Sequence, residues 1–359
     1  MIKLEYSKIQ NCELKYLQEL NLLNENFTYT KEYEKLNRAW NTFRRSNPQL
    51  NFLPKKIRKI IIAPYSMLAN YFMRFDKFIN RNYPLDDYKD KKNPKYIELK
   101  EKKKEFLESL LKIFNYDIYV KKENIIKGEI GPFEDEIANF FKKYSNDLNI
   151  FSCYYCDSAI IGSYDDKKHR TFDIDHFFPK AGYPVFALSL YNFVPSCQVC
   201  NSRIKNQKFI GFYYLKNIQD WKKVLKNNLS PVSNFYDFNQ NVQIQVQPIY
   251  KDGSNISCYG QNFSNNYDLY KISFDCNYPY NYVEQAFRLE KRYNMTAIKK
   301  QALYLEDLKL KYPEERILQI VEILNQNNEN VTYEEIEEAI FHKKNRNKIL
   351  NKLFDDILK

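Results

Sequence analysis

The sequence predicts an α+β protein, a mostly helical chain with a short central segment of different character. Apolar residues recur at helical spacing over residues 1 to about 150 and again near the end of the chain. Between residues 151 and 210 this pattern gives way to short alternating pieces, turn residues and four cysteines in two Cys-x-x-Cys pairs. We therefore expect three segments: an N-terminal helical domain over 1–150, a cysteine-containing core over 151–210, and a mixed, mainly helical domain over 211–359.

The helices predicted for the N-terminal domain share an apolar stripe. They run over Lys3–Leu23, Tyr33–Phe43, Tyr96–Phe114 and Phe133–Tyr144, and the segment Ile57–Ile79 of the same domain alternates basic and apolar residues. Gly128, Gly131 and Pro132 interrupt the pattern before the last of them. The alternating Lys and Glu residues over 100–105 indicate a solvated helix face.

The central and C-terminal segments combine strands with helices. Thr171–Phe178 alternates with period two, which predicts a strand ending at Asp175 and His176, then a loop and a short helix through the second cysteine pair to about Lys208. Alternation also predicts strands over Val242–Gln247 and Leu269–Phe274. The further predicted helices are Asp220–Leu225, Tyr282–Leu308, Glu314–Leu324 and Thr332–Leu358, the last with the capping-box spacing of Thr332 and Glu335.

Charge and composition narrow the class of protein. The chain of 359 residues has a net charge of +11, which favours a polyanionic partner such as nucleic acid, although a solvated basic face explains it equally well. With 7 glycines, a Gly-rich phosphate loop is not expected. We find neither a signal-type apolar run nor the roughly 20 apolar residues of a membrane span, and therefore expect a cytoplasmic protein. In that reducing compartment, Cys-x-x-Cys pairs favour metal over disulfides.

The two cysteine pairs predict a structural zinc site. Cys153 with Cys156 and Cys197 with Cys200 have the spacing of zinc knuckles, and together they supply a tetrathiolate set. The 40 residues between the pairs exceed the interval of a simple zinc ribbon, so another element is inserted between them. The alternatives are four unliganded buried thiols or, less well supported, a redox-active pair.

The residues around this inserted element resemble the HNH endonuclease family in its zinc-binding form. The resemblance rests on Phe172–Lys180, which contains Asp175-His176, on Asn192–Asn201, which contains the second cysteine pair, and on Lys205. It covers about 60 residues, from Cys153 to about Lys208. It implies a central ββα-metal core, a hairpin followed by a helix, stapled by the four-cysteine zinc site.

The resemblance also implies roles for individual residues. His176 would be the general base of phosphodiester hydrolysis. Asp175 would be a further catalytic residue. Asp175 and Asn201 together would bind a catalytic Mg²⁺ or Mn²⁺ ion. Asn192 would fix the loop and orient the histidine. Asn201 stands where many members of the family carry the last histidine of its name.

Each of these residues also has a structural interpretation. His176 could be a hydrogen-bonded histidine of the fold, and Asn201 could cap the following helix. Asp173 could support the site or be a solvated carboxylate. Lys180, Arg203 and Lys205 are candidates for contacts with nucleic-acid phosphates, with solvated side chains an equal alternative.

The expected function is DNA cleavage by an HNH-type endonuclease. Tyr183–Asn192 and Phe287–Tyr293 are similar to HNH proteins of bacterial anti-phage systems, Septu-type and retron-associated, which implies a protein partner such as an ATPase subunit. Two alternatives stay open. The chain could be a non-catalytic, zinc-stapled adaptor that binds nucleic acid or a partner, or a toxin-like nuclease held in check by an inhibitor.

Overall fold

The computed structural model describes residues 3–115, 134–164, 169–205, 221–227, 229–249, 263–327, 329–342 and 350–358. The chain forms two compact units. The larger contains residues 3–150 and 161–236, and the smaller contains 1–2, 151–160 and 237–359. Each unit is built from pieces that are not contiguous in sequence. The predicted domains 1–150, 151–210 and 211–359 are continuous stretches of sequence, and this division stays a prediction. None of the described helices has the length and apolarity needed to cross a bilayer.

The larger unit is mainly helical. Its helices are α1 (Cys12–Glu19), α2 (Lys31–Ser46), α3 (Arg58–Ile61), α4 (Tyr65–Asn82), α5 (Pro94–Ile113), α6 (Glu134–Lys143), the π-helix Val199–Lys205 and α7 (Trp221–Asn227). Its strands are β1 (Ser163–Tyr164), β2 (His169–Arg170), β3 (Asp173–His176) and β4 (Phe193–Ser196).

The predicted N-terminal helices are interrupted by local backbone conformations. Asn11 and Asn21, both with φ of 54°, confine α1 to a short part of the predicted Lys3–Leu23. Asparagine tolerates this left-handed region because its side chain forms local hydrogen bonds. Pro64 divides the segment Ile57–Ile79, which lies in the predicted helical domain, into α3 and α4.

The hairpin at the centre of the larger unit pairs β3 with β4. The strands are antiparallel, with Asp173 opposite Ser196 and His176 opposite Phe193. The strand predicted to end at His176 therefore forms, and the π-helix follows its partner strand. This order of strand, strand and helix agrees with the predicted α+β class.

The loop over residues 177–192, which joins β3 to β4, is part of the hydrophobic core. The ring of Phe178 stacks on Phe72 of α4 with centroids 4.3 Å apart. The hydroxyl of Tyr183 donates a hydrogen bond of 2.7 Å to Asp76 of the same helix. The hydroxyl of Ser189 donates one of 3.0 Å to the Ile60 carbonyl. The N-terminal helices therefore support the hairpin directly.

The smaller unit has one two-stranded sheet and several helices. Strands β5 (Val242–Pro248) and β6 (Tyr270–Cys276) pair antiparallel along their whole length. The helices are α8 (Phe238–Asn241), α9 (Tyr280–Phe287), α10 (Leu289–Tyr293), α11 (Thr296–Lys311), α12 (Glu314–Gln326), α13 (Tyr333–Phe341) and α14 (Asn351–Ile357).

Two predicted helices of this unit are shorter than expected, for a common reason. Arg288, with φ of 52°, separates α9 from α10 within the predicted Tyr282–Leu308, and His342, with φ of 50°, ends α13. The capping box is confirmed. Thr332 Oγ1 accepts from the Glu335 amide at 3.2 Å, and Glu335 Oε2 accepts from the Thr332 amide at 2.9 Å.

Candidate functional site

The four cysteines of the two predicted knuckles come together. The sulfurs of Cys153, Cys156, Cys197 and Cys200 all lie within 4.8 Å of one another, and all four residues are buried. A tetrahedral zinc ion with Zn–S bonds of about 2.3 Å places its sulfurs about 3.8 Å apart, so the group fits such an ion. The four cysteines are thus a buried set that can hold a metal ion such as zinc.

The first knuckle is shaped by a tight turn. The amide of Asp157 donates a hydrogen bond of 2.8 Å to the carbonyl of Cys153, and Asp157 itself is left-handed, with φ of 53°. Its buried carboxylate accepts from the Ser152 hydroxyl at 2.6 Å. This bond stabilises the left-handed backbone conformation of Asp157, which glycine adopts more readily. Burial raises the pKa of the Asp157 carboxyl.

Arg292 is a partner of the first knuckle that the sequence analysis did not assign. Its Nη2 donates to Sγ of Cys156 at 3.2 Å, and the hydroxyl of Tyr293 donates to the Cys156 carbonyl at 2.9 Å. A tetrathiolate zinc site carries a net charge of −2, and a guanidinium bound to one sulfur offsets part of it. In the sequence, Arg292 and Tyr293 lie in the middle of the predicted helix Tyr282–Leu308, and spacing rules do not connect them to a distant cysteine.

The second knuckle leads directly into the candidate active site. The amide of Cys200 points to Sγ of Cys197 at 3.5 Å, and the amide of Asn201 donates to the Cys197 carbonyl at 3.0 Å. The chain then continues through the π-helix to Lys205. Metal binding by these cysteines would therefore fix the start of the segment that carries Asn201 and Lys205.

His176 is buried at the end of β3 in a defined tautomer. Its Nε2 lies 3.0 Å from the Ala187 carbonyl oxygen. A carbonyl oxygen can only accept, so Nε2 carries the proton and Nδ1 carries the lone pair. Burial, with the positive charges of Lys180 and Lys205, lowers the pKa of His176 to about 3. The imidazole is therefore neutral at neutral pH.

Asn192 holds the loop that supplies the histidine's partner. Its side-chain amide donates to the carbonyls of Phe178 and Phe186, both at 3.1 Å. Its Oδ1 accepts from the Phe178 amide at 2.7 Å. Phe186 precedes Ala187, so these bonds place the carbonyl that orients His176.

Asp175 and Lys205 form a buried ion pair beside the histidine. The ammonium of Lys205 lies 2.8 Å from Oδ1 of Asp175 and 2.6 Å from the His176 carbonyl oxygen. The side chains of Lys205 and Asp175 are 1% and 4% exposed. One cation thus fixes both the carboxylate and the backbone of the Asp-His pair. The predicted phosphate contact of Lys205 stays a prediction.

Asn201 contacts a different carboxylate. Its Nδ2 donates to Oδ2 of Asp173 at 3.1 Å, so the amide is tied to β3 two residues before Asp175. Carboxylate and amide oxygens are the donors that Mg²⁺ prefers, but Oδ1 of Asp175 is paired with the Lys205 ammonium, so the Mg²⁺ site predicted at Asp175 and Asn201 stays a prediction. Among the described residues, the four-cysteine group is the one cluster of three or more His, Cys, Asp or Glu ligands.

The other candidate phosphate contacts are less buried. Lys180 is half-buried and Arg203 is exposed. Lys180 raises the local positive potential enough to contribute to the low pKa of His176. Arg203 lies on the same π-helix as Asn201 and Lys205.

No protein-family model, curated protein or solved structure matches this chain. The resemblance to HNH endonucleases therefore rests on the residues quoted above and stays a prediction.

Proposed function

We propose that the chain is an HNH-type endonuclease that hydrolyses DNA phosphodiester bonds and serves as the effector of a bacterial anti-phage defence complex. The observation that carries the nuclease proposal is the state of His176. Its Nε2 proton is engaged by the Ala187 carbonyl oxygen at 3.0 Å, which leaves the lone pair on Nδ1. A neutral imidazole with its lone pair on Nδ1 is the form that accepts a proton from water.

In the proposed reaction, His176 Nδ1 takes a proton from a water molecule whose oxygen forms a bond to phosphorus. The bond from phosphorus to the 3′ oxygen breaks, and that oxygen acquires a proton from solvent. The products are a 5′-phosphate and a 3′-hydroxyl. Asp175 and Asn201 would hold a Mg²⁺ or Mn²⁺ ion, which would stabilise negative charge on the phosphate and on the leaving oxygen.

The surrounding residues support this proposal by preorganising the base. The hydrogen bonds of Asn192 keep the Ala187 carbonyl in place, and the Lys205 ammonium holds the Asp175 carboxylate. A base held by such interactions loses little freedom on reaching the transition state. The basic side chains of Lys180 and Arg203 would attract the phosphate backbone.

Plasmid nicking tests the proposal. Purified protein is incubated with supercoiled plasmid in Mg²⁺ and in Mn²⁺, beside His176→Ala and an EDTA control. We expect nicked plasmid from the wild type and a loss of about 10²-fold or more in rate from His176→Ala. Cleavage by His176→Ala at the wild-type rate would refute the assignment of the base.

A second candidate function is a non-catalytic, zinc-stapled adaptor that binds nucleic acid or a partner. The observation that favours it is the closed state of the site, in which His176 is buried and the Asp175 carboxylate is neutralised by Lys205. An adaptor would keep its zinc and its partner binding in the His176→Ala variant.

The defence role rests on the weaker resemblance, and it calls for a separate experiment. If a partner such as an ATPase subunit activates the nuclease, adding the product of a neighbouring gene should raise the nicking rate of the wild type. It should leave His176→Ala inactive. Nicking that is the same with and without that product would speak against activation by it.

A further inference from the structure

A turn between α1 and α2 presents two exposed aromatic residues on a fixed backbone. Leu23 and Tyr29 pair across the turn in an antiparallel bridge. Oδ1 of Asn24 accepts hydrogen bonds of 3.0 Å from the amides of both Asn26 and Thr28. We call residues 23–30 the aromatic turn. These bonds, together with one of 3.0 Å from Gln18 Nε2 of α1 to the Asn24 carbonyl oxygen, give the turn a defined shape.

Phe27 at the tip of the aromatic turn is in the left-handed region, with φ of 58°. Aromatic residues rarely adopt this conformation, and such strain is retained where the position of a side chain is used. The side chain of Phe27 is 49% exposed, and that of Tyr29 is 41% exposed. Core packing therefore does not account for the aromatic character of these two positions.

Tyr29 belongs to a short stack that includes a cation. Its ring lies on that of Tyr33, with centroids 4.0 Å apart and planes at 18°. The guanidinium of Arg58 lies over the Tyr29 ring, with its carbon 5.5 Å from the centroid. Tyr33 is buried, so the stack is anchored from the core side. Lys55, Lys56 and Lys59, next to Arg58 in the chain, are exposed.

The charge of this region is high for its length. Residues 24–59 contain nine Lys and Arg against three Glu and no Asp, a net charge of +6 out of +11 for the whole chain. Of these residues, Arg44 is buried and does not contribute to the surface. A basic surface with exposed aromatic rings is the combination by which proteins hold unpaired nucleic-acid strands. Lysine side chains neutralise phosphates, while aromatic rings and guanidinium groups stack on bases.

We propose that Phe27, Tyr29 and Arg58 form a binding site for an unpaired nucleic-acid strand, with the exposed lysines of 55–59 on its phosphates. The bases of a duplex are covered on both faces, so aromatic side chains contribute to binding only where bases are unstacked. A purely apolar protein partner would not need the excess of cations. The site goes beyond the proposed nuclease function, because strand binding does not require cleavage.

Fluorescence anisotropy tests the proposal on the full chain carrying His176→Ala, so that binding is measured apart from cleavage. The probes are a labelled thymidine 20-mer and a blunt duplex of the same length. The variants are Phe27→Ala with Tyr29→Ala, and Arg58→Lys, which keeps the charge but removes the planar guanidinium. The matched control is Tyr304→Ala, which removes a tyrosine of α11 that is 56% exposed.

We expect the combined aromatic variant to bind the 20-mer about tenfold more weakly, with duplex binding changed less than about twofold. Arg58→Lys should also weaken binding of the 20-mer, and Tyr304→Ala should not. Arg58→Lys lies on a different element, so it still tests the site if the aromatic variant unfolds. Unchanged 20-mer binding in both variants would overturn the proposal. So would an equal loss for strand and duplex, which would indicate a surface that recognises charge alone.

Failure of this site and failure of the proposed nuclease are distinguishable. If the protein nicks plasmid but does not bind the 20-mer through the aromatic turn, only the binding proposal is refuted. If the protein binds the 20-mer through the aromatic turn but nicks no plasmid under any condition, the nuclease proposal fails and the binding proposal stands.

Discussion

Lys205 and Asp175 form an ion pair that is almost completely withdrawn from water, with Nζ 2.8 Å from Oδ1. The same ammonium lies 2.6 Å from the carbonyl oxygen of His176. A buried carboxylate is costly unless it is paired and hydrogen-bonded, so each partner depends on the other. The pair fixes the end of β3 at the position where the candidate general base projects.

Removing Lys205 should therefore destabilise the fold as well as reduce nicking. We expect Lys205→Met to lower the free energy of unfolding by about 3–5 kcal/mol, because it leaves the Asp175 carboxylate buried and unpaired. Urea unfolding measures this change. The combination of Lys205→Met with Asp175→Asn should recover part of the loss, because no uncompensated charge remains.

Lys352 and Asp356 provide the matched control for this prediction. They form a comparably buried pair in the smaller unit, with 2.7 Å between Nζ and Oδ1 and exposures of 3% and 2%. Lys352→Met should destabilise the protein without a specific effect on nicking by the folded fraction. If both lysine variants reduced nicking equally, Lys205 would have a structural role alone.

Asn192→Ala should loosen the loop that orients His176. It removes three hydrogen bonds, to the amide and carbonyl of Phe178 and to the carbonyl of Phe186. At about 1 kcal/mol for each bond, we expect a loss of about 3 kcal/mol in stability. Hydrogen exchange should become faster across residues 177–192, and nicking should fall more than for a control variant of equal stability. Unchanged exchange in that loop would contradict the assignment.

The four-cysteine site should hold one zinc ion per chain. We expect metal analysis of the purified protein to give one equivalent, and Cys197→Ser to reduce it strongly. Cys12→Ser and Cys276→Ser are the controls, since neither residue belongs to the group, and both should keep the metal. Removal of the metal with a chelator should lower the unfolding temperature. Full zinc content in Cys197→Ser would refute the site.

Arg292→Gln should make the zinc more labile. The guanidinium hydrogen-bonds Sγ of Cys156 at 3.2 Å and offsets negative charge at the thiolates. Without it, we expect transfer of zinc to a competing chelator to be about tenfold or more faster, as for other outer-sphere partners of metal ligands. Arg316→Gln, on exposed helix α12, is the control and should leave the transfer rate unchanged.

The buried His176 should make stability depend on pH in a predictable direction. Its pKa is lowered from 6.5 to about 3 on folding, so below pH 6.5 the unfolded chain takes up a proton that the folded chain does not. Its contribution to stability is therefore complete above pH 6.5 and is lost as the pH falls from 6.5 towards 3. Between pH 7.5 and 5.5, the wild type should lose about 1.4 kcal/mol more than His176→Gln.

The control for the pH experiment is His169→Gln, which replaces an exposed histidine. It should follow the wild-type pH dependence. Both variants are compared with the wild type at each pH, so that effects of the zinc thiolates cancel. If the stability of the wild type and of His176→Gln changed in parallel with pH, His176 would take up its proton at the same pH in the folded and the unfolded chain, which would contradict the prediction.

The four-cysteine cluster and the strand that ends at His176 could be predicted from sequence because they rest on short spacings. Two Cys-x-x-Cys pairs and a strand ending at Asp175-His176 are local patterns, and the structure brings the cysteines together and forms the strand. The partners of these residues could not be predicted. The bonds of Arg292 to Cys156 and of His176 to Ala187 depend on tertiary packing, which no periodicity encodes.

The helix boundaries were harder to predict for a different reason. Asn11, Asn21, Arg288 and His342 interrupt or end helices by adopting left-handed conformations. Glycine usually signals such positions, and none of these residues is glycine. The division into two units could not be predicted from sequence either, because residues 151–160 group with 237–359 rather than with the residues next to them in the chain.

The anchoring of the 177–192 loop has a consequence for how this protein can be divided or recombined. Its rings and hydroxyls contact α4 and the residues before it, and the hydroxyl of Tyr16 on α1 donates to the Leu188 carbonyl at 2.9 Å. An excised fragment of residues 151–210 would expose that aromatic loop to water and lose the scaffold for Ala187. The N-terminal helices are therefore not an exchangeable module: transfer of the β3–β4 hairpin and its loop to another protein would require these helices as well.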